Sequence, residues 1–218
     1  MLESARADGR RWLSEHEAKQ VLAAYGVPVV ETRVAQSPDE AAEVADAIGY
    51  PVALKVLSPD ITHKSDVGGV VLDLESPAAV REAARAIVHR VETRTDATLE
   101  GFTVQAMVRT ADCHELIVGA HTDRIFGPVV LFGQGGTAVE VVDDTALGLV
   151  PLNMALARRQ VERTRVYRLL AGYRNHPAAR IDRICEVLVR VSRLITDLDQ
   201  IESLDINPLL AGPEAVIA

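Results

Sequence analysis

The chain has 218 residues, of which 48% are hydrophobic and 25% charged, and its formal net charge is −8. These values are typical of a globular protein with one sizeable domain or two small ones, and they exclude a largely disordered chain. The acidic balance argues against a nucleic-acid partner. No apolar run approaches the roughly 20 residues of a membrane-spanning helix, so no membrane partner is expected.

The N-terminal stretch and the cysteines indicate the compartment. Residues 1–12 contain no apolar core of a secretory signal peptide. Cys113 and Cys185 form no spaced metal-binding or redox motif. We therefore expect a cytoplasmic protein whose thiols are reduced.

The first half of the chain predicts alternating helices and strands. A helix begins at Ser14, where Ser14 and Glu17 form a capping box, and it ends at Gly26. Ser-Pro pairs predict the starts of two further helices. In chain order, the elements that follow the first helix are a strand at 27–35, a helix at 37–49, strands at 51–57 and 69–74, a helix at 76–91 and a strand at 101–108. Residues 27–108 are thus predicted to form one compact α+β unit.

The second half has a different pattern. Two antiparallel strands at 114–120 and 127–133 flank a turn, and the stretch "VEVV" at 139–142 is a candidate third strand. Helices are predicted at 153–172 and 176–198, followed by a closing strand at 201–210. The second of these helices carries one apolar stripe, formed by Ile181, Ile184, Leu188, Val191, Ile195 and Leu198. The predicted organisation is an N-terminal helical segment (1–26) packed on the second unit, a first unit (27–108) and a second unit (109–218).

Lys55 lies inside an apolar run, which is unusual for a charged residue. Strand alternation places Ala53, Lys55 and Leu57 on one face. A buried ammonium group must be paired or must face a polar cavity, whereas a lysine on an edge strand can reach water along its own stem. Because a glycine-rich loop follows, the sequence favours a phosphate-binding role for Lys55.

Two glycine clusters are candidate anion-binding loops. The first runs from His63 through Lys64 and Ser65 to Gly68 and Gly69. Adjacent glycines allow close approach of the backbone to a ligand, although a simple hairpin turn also fits, and the spacing is not that of a Walker A loop. A histidine here is either a phosphate contact or an ordinary solvated residue.

The second glycine cluster, at 131–137, ends an apolar strand and contains Gly135 and Gly136. It fits either a turn or a second anion-binding surface. Near the C-terminus, Asp205 and Asn207 are two apart on a predicted strand, so their side chains share a face. Both offer oxygen atoms to a hard cation such as Mg²⁺, although Asn-Pro also commonly ends a strand.

The order of these features resembles the ATP-grasp fold. A strand lysine, a glycine-rich loop, the strand "VQAMV", a second glycine-rich turn and a late Asp-x-Asn-Pro follow one another. More narrowly, "KSDVGGV" and "FGPVVLFGQGG" resemble the β-type ATP-grasp domain of the NDP-forming acyl-CoA synthetases, the acetate–CoA ligase (ADP-forming) family. The resemblance covers nearly the whole chain. It implies an α+β fold of two subdomains that hold the nucleotide between them.

The resemblance also implies a set of site residues. His63 and Lys55 would be catalytic, and Asp205 and Asn207 would hold Mg²⁺. Residues implied to bind ATP or ADP are Lys55, Lys64, Ser65, Gly68, Gly69, Gln105, Ala106, Met107, Val108, Glu115, Gly135 and Gly136.

The family converts acyl-CoA, ADP and phosphate reversibly into acid, CoA and ATP through a phosphohistidine on an α-type part. The implied partners are α-type CoA-binding and CoA-ligase domains, in the same chain or a partner chain, and a fused acetyltransferase domain. An isolated chain would then be inactive. The alternative function is a regulatory domain of a multidomain protein acetyltransferase, which senses nucleotide or acyl-CoA without turnover. A carboxylate–amine ligase is a third and weaker alternative.

The C-terminus departs from the family pattern. Family members continue past the Asn-Pro strand to a further acidic metal ligand, whereas no carboxylate side chain follows Glu214 here. The sequence alone therefore predicts a second subdomain that is truncated at its C-terminus and excised from a longer protein.

Overall fold

The computed structural model describes residues 1–61, 64–108, 113–136, 144–174 and 176–218. The chain forms two compact units. Unit 1 comprises Met1–Ala18 and Val30–Val108, and unit 2 comprises Lys19–Val29 and Arg109–Ala218. Of the N-terminal segment 1–26, residues 1–18 belong to unit 1 and residues 19–26 to unit 2.

Unit 1 is a four-stranded antiparallel sheet with two helices on one face. Its elements are α1 (Leu2–Ala7), the start of α2 (Glu15–Ala24), β1 (Thr32–Ala35), α3 (Pro38–Ile48), β2 (Val52–Leu57), β3 (Val70–Leu74), α4 (Pro77–Arg94) and β4 (Gly101–Ala106). The strand order is β1-β4-β2-β3, so β2 and β4 are interior strands. Alanines of α3 and the apolar face of α4 cover Leu54, Val56, Phe102 and Val104, all fully buried.

Local sequence signals determine where the helices of unit 1 begin. The Ser37 hydroxyl accepts a hydrogen bond from the Glu40 N–H at 3.1 Å, and Ser76 does the same for Ala79 at 3.3 Å. A proline occupies the first turn after each serine, where its missing N–H costs nothing. Both predicted helix starts are confirmed.

Unit 2 is a five-stranded antiparallel sheet with the order β7-β6-β5-β8-β9. Its elements are β5 (His114–Asp123), β6 (Gly127–Gln134), β7 (Thr145–Leu149), α5 (Met154–Glu162), α6 (Tyr167–Leu170), α7 (Ile181–Asp197), β8 (Ser203–Ala211) and β9 (Val216–Ile217). The predicted hairpin is β5–β6. The candidate strand at 139–142 lies outside the described residues, and the strand that pairs with β6 is β7.

The core of unit 2 lies between this sheet and α7. Ile184, Leu188, Val191 and Ile195 are buried on the helix, as the predicted stripe requires. They pack in one cluster with the inward-facing residues of the sheet, among them Leu116, Val118, Val130, Phe132 and Ile206. In the described part of the chain, no helix combines the length and the apolar character needed to cross a membrane.

Asp144 explains why the predicted helix 153–172 is two helices. Its carboxylate is nearly fully buried and accepts hydrogen bonds from the backbone N–H groups of Arg165 and Val166, at 2.7 and 2.6 Å. These donors precede α6, whose first N–H groups have no partner within the helix. The Asp144 side chain, which belongs to neither helix, thus stabilises the turn that separates α5 from α6.

We expect Asp144→Ala to lower the free energy of unfolding by about 2–4 kcal/mol, because it leaves buried backbone N–H groups without an acceptor. Urea unfolding measures this change. The control is Asp199→Ala, which removes an exposed carboxylate from the same unit and should change stability by less than about 0.5 kcal/mol. Equal stability of the two variants would contradict the role given to Asp144.

Candidate functional site

Lys55 lies on β2, an interior strand, which rules out the alternative of an edge-strand lysine. It pairs with Thr103 of β4 on one side and Val70 of β3 on the other. Its neighbours Leu54 and Val56 point into the core, so Lys55 lies on the opposite face of the sheet. The side chain is 20% exposed, and its Nζ lies 2.7 Å from Glu15 Oε1. The half-buried ammonium group is therefore paired, as its surroundings require.

A second lysine reaches the same carboxylate. Lys64 Nζ lies 3.7 Å from Glu15 Oε2. Glu15 thus contacts two of the lysines that the sequence assigned to the nucleotide, and it was not among the predicted residues. Its only sequence signal was its place between Ser14 and Glu17 of the capping box, which predicts a helix start and no contact 40 residues away.

Thr103 was also missed by the sequence prediction. It lies directly opposite Lys55, and directly opposite residues of an antiparallel pair project from the same face. Its hydroxyl is buried, and no hydrogen-bond partner for it is found among the described residues. Gln105, a predicted nucleotide ligand, is opposite Ala53 on this same face. The face of unit 1 turned away from the helices is thus polar around Lys55.

The first glycine cluster forms a closed turn. The Gly69 N–H donates to the Lys64 carbonyl at 2.8 Å, and the Gly68 N–H donates to Ser65 at 3.0 Å. Gly68 has a φ of +66°, and a Cβ on Gly69 would lie 2.5 Å from Val56 Cγ1. The turn itself therefore requires both glycines, and their N–H groups are bonded within it. His63 lies outside the described residues.

Residues 105–108, at the end of β4 and just beyond it, make hydrogen bonds within unit 1. The Ala106 N–H donates to Glu31 at 3.0 Å, and the Met107 N–H donates to Pro51 at 3.2 Å. The Met107 sulfur accepts from the Asp73 N–H at 3.0 Å. Val108 ends the described stretch of unit 1. These contacts fix the backbone of the segment that was predicted to meet the adenine.

In unit 2 the second glycine cluster meets Glu115 and Asn207. The Gly135 N–H donates to the Glu115 carbonyl at 2.8 Å, and the Gly136 N–H donates to Asn207 Oδ1 at 3.3 Å. A cavity of about 250 Å³ is lined by Glu115, Gly135 and Gly136 together with His114, Gln134, Val166 and Leu169. Burial lowers the pKa of His114, and the nearby His176 lowers it further. The structure thus brings four predicted residues, Glu115, Gly135, Gly136 and Asn207, together at one end of the sheet.

Asp205 and Asn207 flank the buried Ile206, and both are exposed. Although Asp205 is exposed as a residue, desolvation raises the pKa of its carboxyl group. No hydrogen bond or ion pair to that carboxylate is found among the described residues. A carboxylate in this setting favours a cation, and Mg²⁺ commonly takes one or two protein oxygens together with phosphate oxygens. The pair therefore fits Mg²⁺, while the described residues contain no group of three or more His, Cys, Asp or Glu side chains that could hold a metal alone.

Comparison with known proteins decides the family. The model of a family described as "ATP-grasp domain" matches residues 4–218. The β subunit of acetate–CoA ligase [ADP-forming] I from Pyrococcus furiosus is 37% identical over 219 residues, which cover 100% of this chain and 93% of that protein. This chain belongs to the ATP-grasp family of ADP-forming acetate–CoA ligase β subunits.

Two solved structures of acetyl-coenzyme A synthetase 1 from Ca. Korarchaeum cryptofilum show the same fold. One, in complex with coenzyme A, Ca-AMPCP and HgCl⁺, has a TM-score of 0.94 and 38% identity, covering 99% of this chain and 94% of that chain. The other, with coenzyme A and Mg-AMPPCP, has a TM-score of 0.88 and 36% identity, covering 99% and 93%. Its phosphohistidine segment points towards the nucleotide-binding site.

These relatives confirm the predicted family and the predicted α+β ATP-grasp fold. An ATP-grasp domain binds ATP or ADP, so the expected nucleotide class follows from the family. The Pyrococcus furiosus relative is named as a β subunit, which makes it one part of a larger ligase. A fused acetyltransferase finds no support in these relatives.

Proposed function

We propose that this chain is the nucleotide-binding part of an ADP-forming acyl-CoA synthetase, which converts acyl-CoA, ADP and phosphate reversibly into acid, CoA and ATP. The observation that carries the proposal is the position of Lys55, on an interior strand of an ATP-grasp domain and on the face away from the core. Its ammonium group is largely removed from water and lies 2.7 Å from the Glu15 carboxylate. Because burying a charge costs free energy, a lysine in such a place is expected where an anionic ligand binds. The matching relatives act on nucleotide and CoA substrates of this class.

In unit 1, Lys55 and Lys64 would bind phosphate oxygens, next to the turn that contains Ser65, Gly68 and Gly69. The backbone of residues 105–108 would meet the adenine. A lysine ammonium group binds phosphate as a point charge and donates up to three hydrogen bonds. Because the contact between these lysines and the phosphates is electrostatic, the affinity for nucleotide should fall as the salt concentration rises.

In unit 2, Asp205 and Asn207 would hold Mg²⁺, with Glu115, Gly135 and Gly136 beside them. The cation would neutralise charge on the phosphate oxygens during transfer. Asn207 is held in place by its hydrogen bond from the Gly136 N–H at 3.3 Å, so its amide oxygen is already oriented. The protein's contribution here is to position two oxygen ligands on one rigid strand.

His63 lies outside the described residues, and the role that the sequence suggested for it is proposed again. An imidazole that is partly unprotonated near neutral pH is a competent phosphoryl acceptor. We propose that it carries the phosphoryl group between the α-type part's phosphohistidine and ADP.

The test is ATP formation from acetyl-CoA, ADP and phosphate by this chain combined with the α-type subunit of a related ligase. We expect turnover by the combination, none by this chain alone, and none with His63→Ala, while ADP affinity is retained. The control is His89→Ala, which removes another imidazole from unit 1 and should leave turnover unchanged. Normal turnover with His63→Ala would contradict the role of His63, and no turnover by any combination would contradict the proposed reaction.

A further inference from the structure

Glu15 holds the two lysines of unit 1 with both of its carboxylate oxygens. Oε1 lies 2.7 Å from Lys55 Nζ, and Oε2 lies 3.7 Å from Lys64 Nζ. The three side chains are only partly exposed, at 30% for Glu15, 20% for Lys55 and 23% for Lys64. A carboxylate in this place presents two anionic oxygens to two ammonium groups, which is the arrangement that a phosphate group offers.

The position of Glu15 is set by the helix it begins. Ser14 and Glu17 form the predicted capping box, with the Ser14 N–H donating to Glu17 Oε2 at 2.8 Å and the Glu17 N–H donating to Ser14 Oγ at 3.3 Å. Arg10 donates two hydrogen bonds to the same Glu17 carboxylate, at 2.8 and 2.9 Å. Glu15 is thus the first residue of a helix whose start is anchored by these hydrogen bonds.

The net charge of Glu15, Lys55 and Lys64 links Glu15 to nucleotide affinity. Two ammonium groups and one carboxylate leave one net positive charge, whereas the lysines alone would present two. A nucleotide phosphate that binds these lysines competes with the carboxylate for the same donors. Lys55 and Lys64 have their nearest described anionic partner in Glu15.

We propose that Glu15 is an internal counter-ion of the phosphate-binding lysines, which occupies them in the nucleotide-free chain and gives way to the nucleotide phosphates. Glu15 thereby lowers nucleotide affinity while it stabilises the empty domain. This inference rests on the proposed role of Lys55 in binding nucleotide. It assigns to the start of α2 a function beyond helix capping, which is to set how tightly the nucleotide is held.

A positioning role for Glu15 makes the opposite prediction. If the carboxylate only oriented Lys55 for the nucleotide, its removal would weaken nucleotide binding and protein stability together. An internal counter-ion instead gives opposite signs, because the contact that stabilises the empty domain is the one that binding must break. The two roles are therefore separated by measuring both quantities on one variant.

The experiment measures ADP affinity by calorimetry and the Tm of the nucleotide-free chain for Glu15→Gln, which removes the charge and keeps the shape. We expect ADP to bind about two- to fivefold more tightly, the size of one partly exposed ion pair, and the Tm to fall. Glu43→Gln is the matched control, because it makes the same charge change on the exposed face of α3 in the same unit. Its ADP affinity and Tm should equal those of the unmodified chain.

Lys55→Ala is measured in the same experiments. It distinguishes a failure of the counter-ion role of Glu15 from a failure of the proposed nucleotide site. If Lys55→Ala weakens ADP binding and Glu15→Gln tightens it, the inference is supported. If Lys55→Ala weakens binding and Glu15→Gln leaves it unchanged or weaker, the inference is overturned and the nucleotide site stands. If Lys55→Ala has no effect, the lysine is not in the site, and both the placement and the inference are overturned.

Discussion

Lys55→Ala is expected to weaken ADP binding by about 10- to 150-fold, which corresponds to the roughly 1.5–3 kcal/mol of a hydrogen bond to a charged group. The effect is large because strand pairing on both sides fixes the backbone of Lys55, and the contact with Glu15 holds its ammonium group in place. A fixed donor loses little entropy when the ligand arrives. Isothermal titration calorimetry of ADP into each variant measures the change.

The matched control for this variant is Arg81→Ala. It removes one positive charge from the same unit at α4, where Arg81 is 38% exposed and pairs with Asp39 at 2.8 Å. Long-range attraction of the nucleotide by net charge would be reduced equally in both variants, whereas direct phosphate binding is lost only in Lys55→Ala. Equal ADP affinities for the two variants would remove Lys55 from the site.

Asp205→Asn is expected to abolish the strengthening of ADP binding by Mg²⁺, a loss of at least about tenfold at saturating cation. In the free protein the Asp205 carboxylate is partly desolvated, which raises its pKa, and a bound cation would relieve this cost. ADP affinity without Mg²⁺ should stay the same or improve slightly, because the substitution removes a negative charge. Titrations with and without Mg²⁺ separate the two effects.

Asp199→Asn serves as the control for the metal site. Asp199 is exposed between α7 and β8, in the same unit, and its substitution makes the same chemical change. The Mg²⁺-dependent gain should persist in this variant. If it also persists in Asp205→Asn, the metal ligands lie elsewhere and the assignment of Asp205 and Asn207 has to be withdrawn.

Local signals predicted the parts of the fold whose causes are local. The serines at 37 and 76 begin α3 and α4 because each hydroxyl caps an N–H three residues along the chain. The apolar stripe of α7 was visible because helical periodicity alone generates it. The helix 153–172 was predicted as one element because the carboxylate that holds its break, Asp144, lies 21 residues before Arg165. Hydropathy does not record such a contact.

The sequence indicated which residue types form the candidate site, but it did not predict which residues contact one another there. The sequence indicated Lys55, yet strand order decides whether a lysine is at an edge, and order depends on pairing between distant segments. The glycines at 68 and 69 were predicted to face phosphate, whereas their N–H groups close the turn itself. The hydrogen bond from Gly136 to Asn207 joins residues 71 apart, and the Lys55–Glu15 pair joins residues 40 apart. Both depend on tertiary structure.

We expect this ATP-grasp chain to bind an adenine nucleotide together with Mg²⁺, and a calorimetric titration of ADP into the unmodified chain measures that binding. The expected result is saturable binding of one ADP per chain, with an affinity that rises when Mg²⁺ is added and falls as the salt concentration is raised. A folded chain that shows no binding heat and no rise in Tm with millimolar ADP or ATP, with or without Mg²⁺, would show that the chain is not a nucleotide-binding domain.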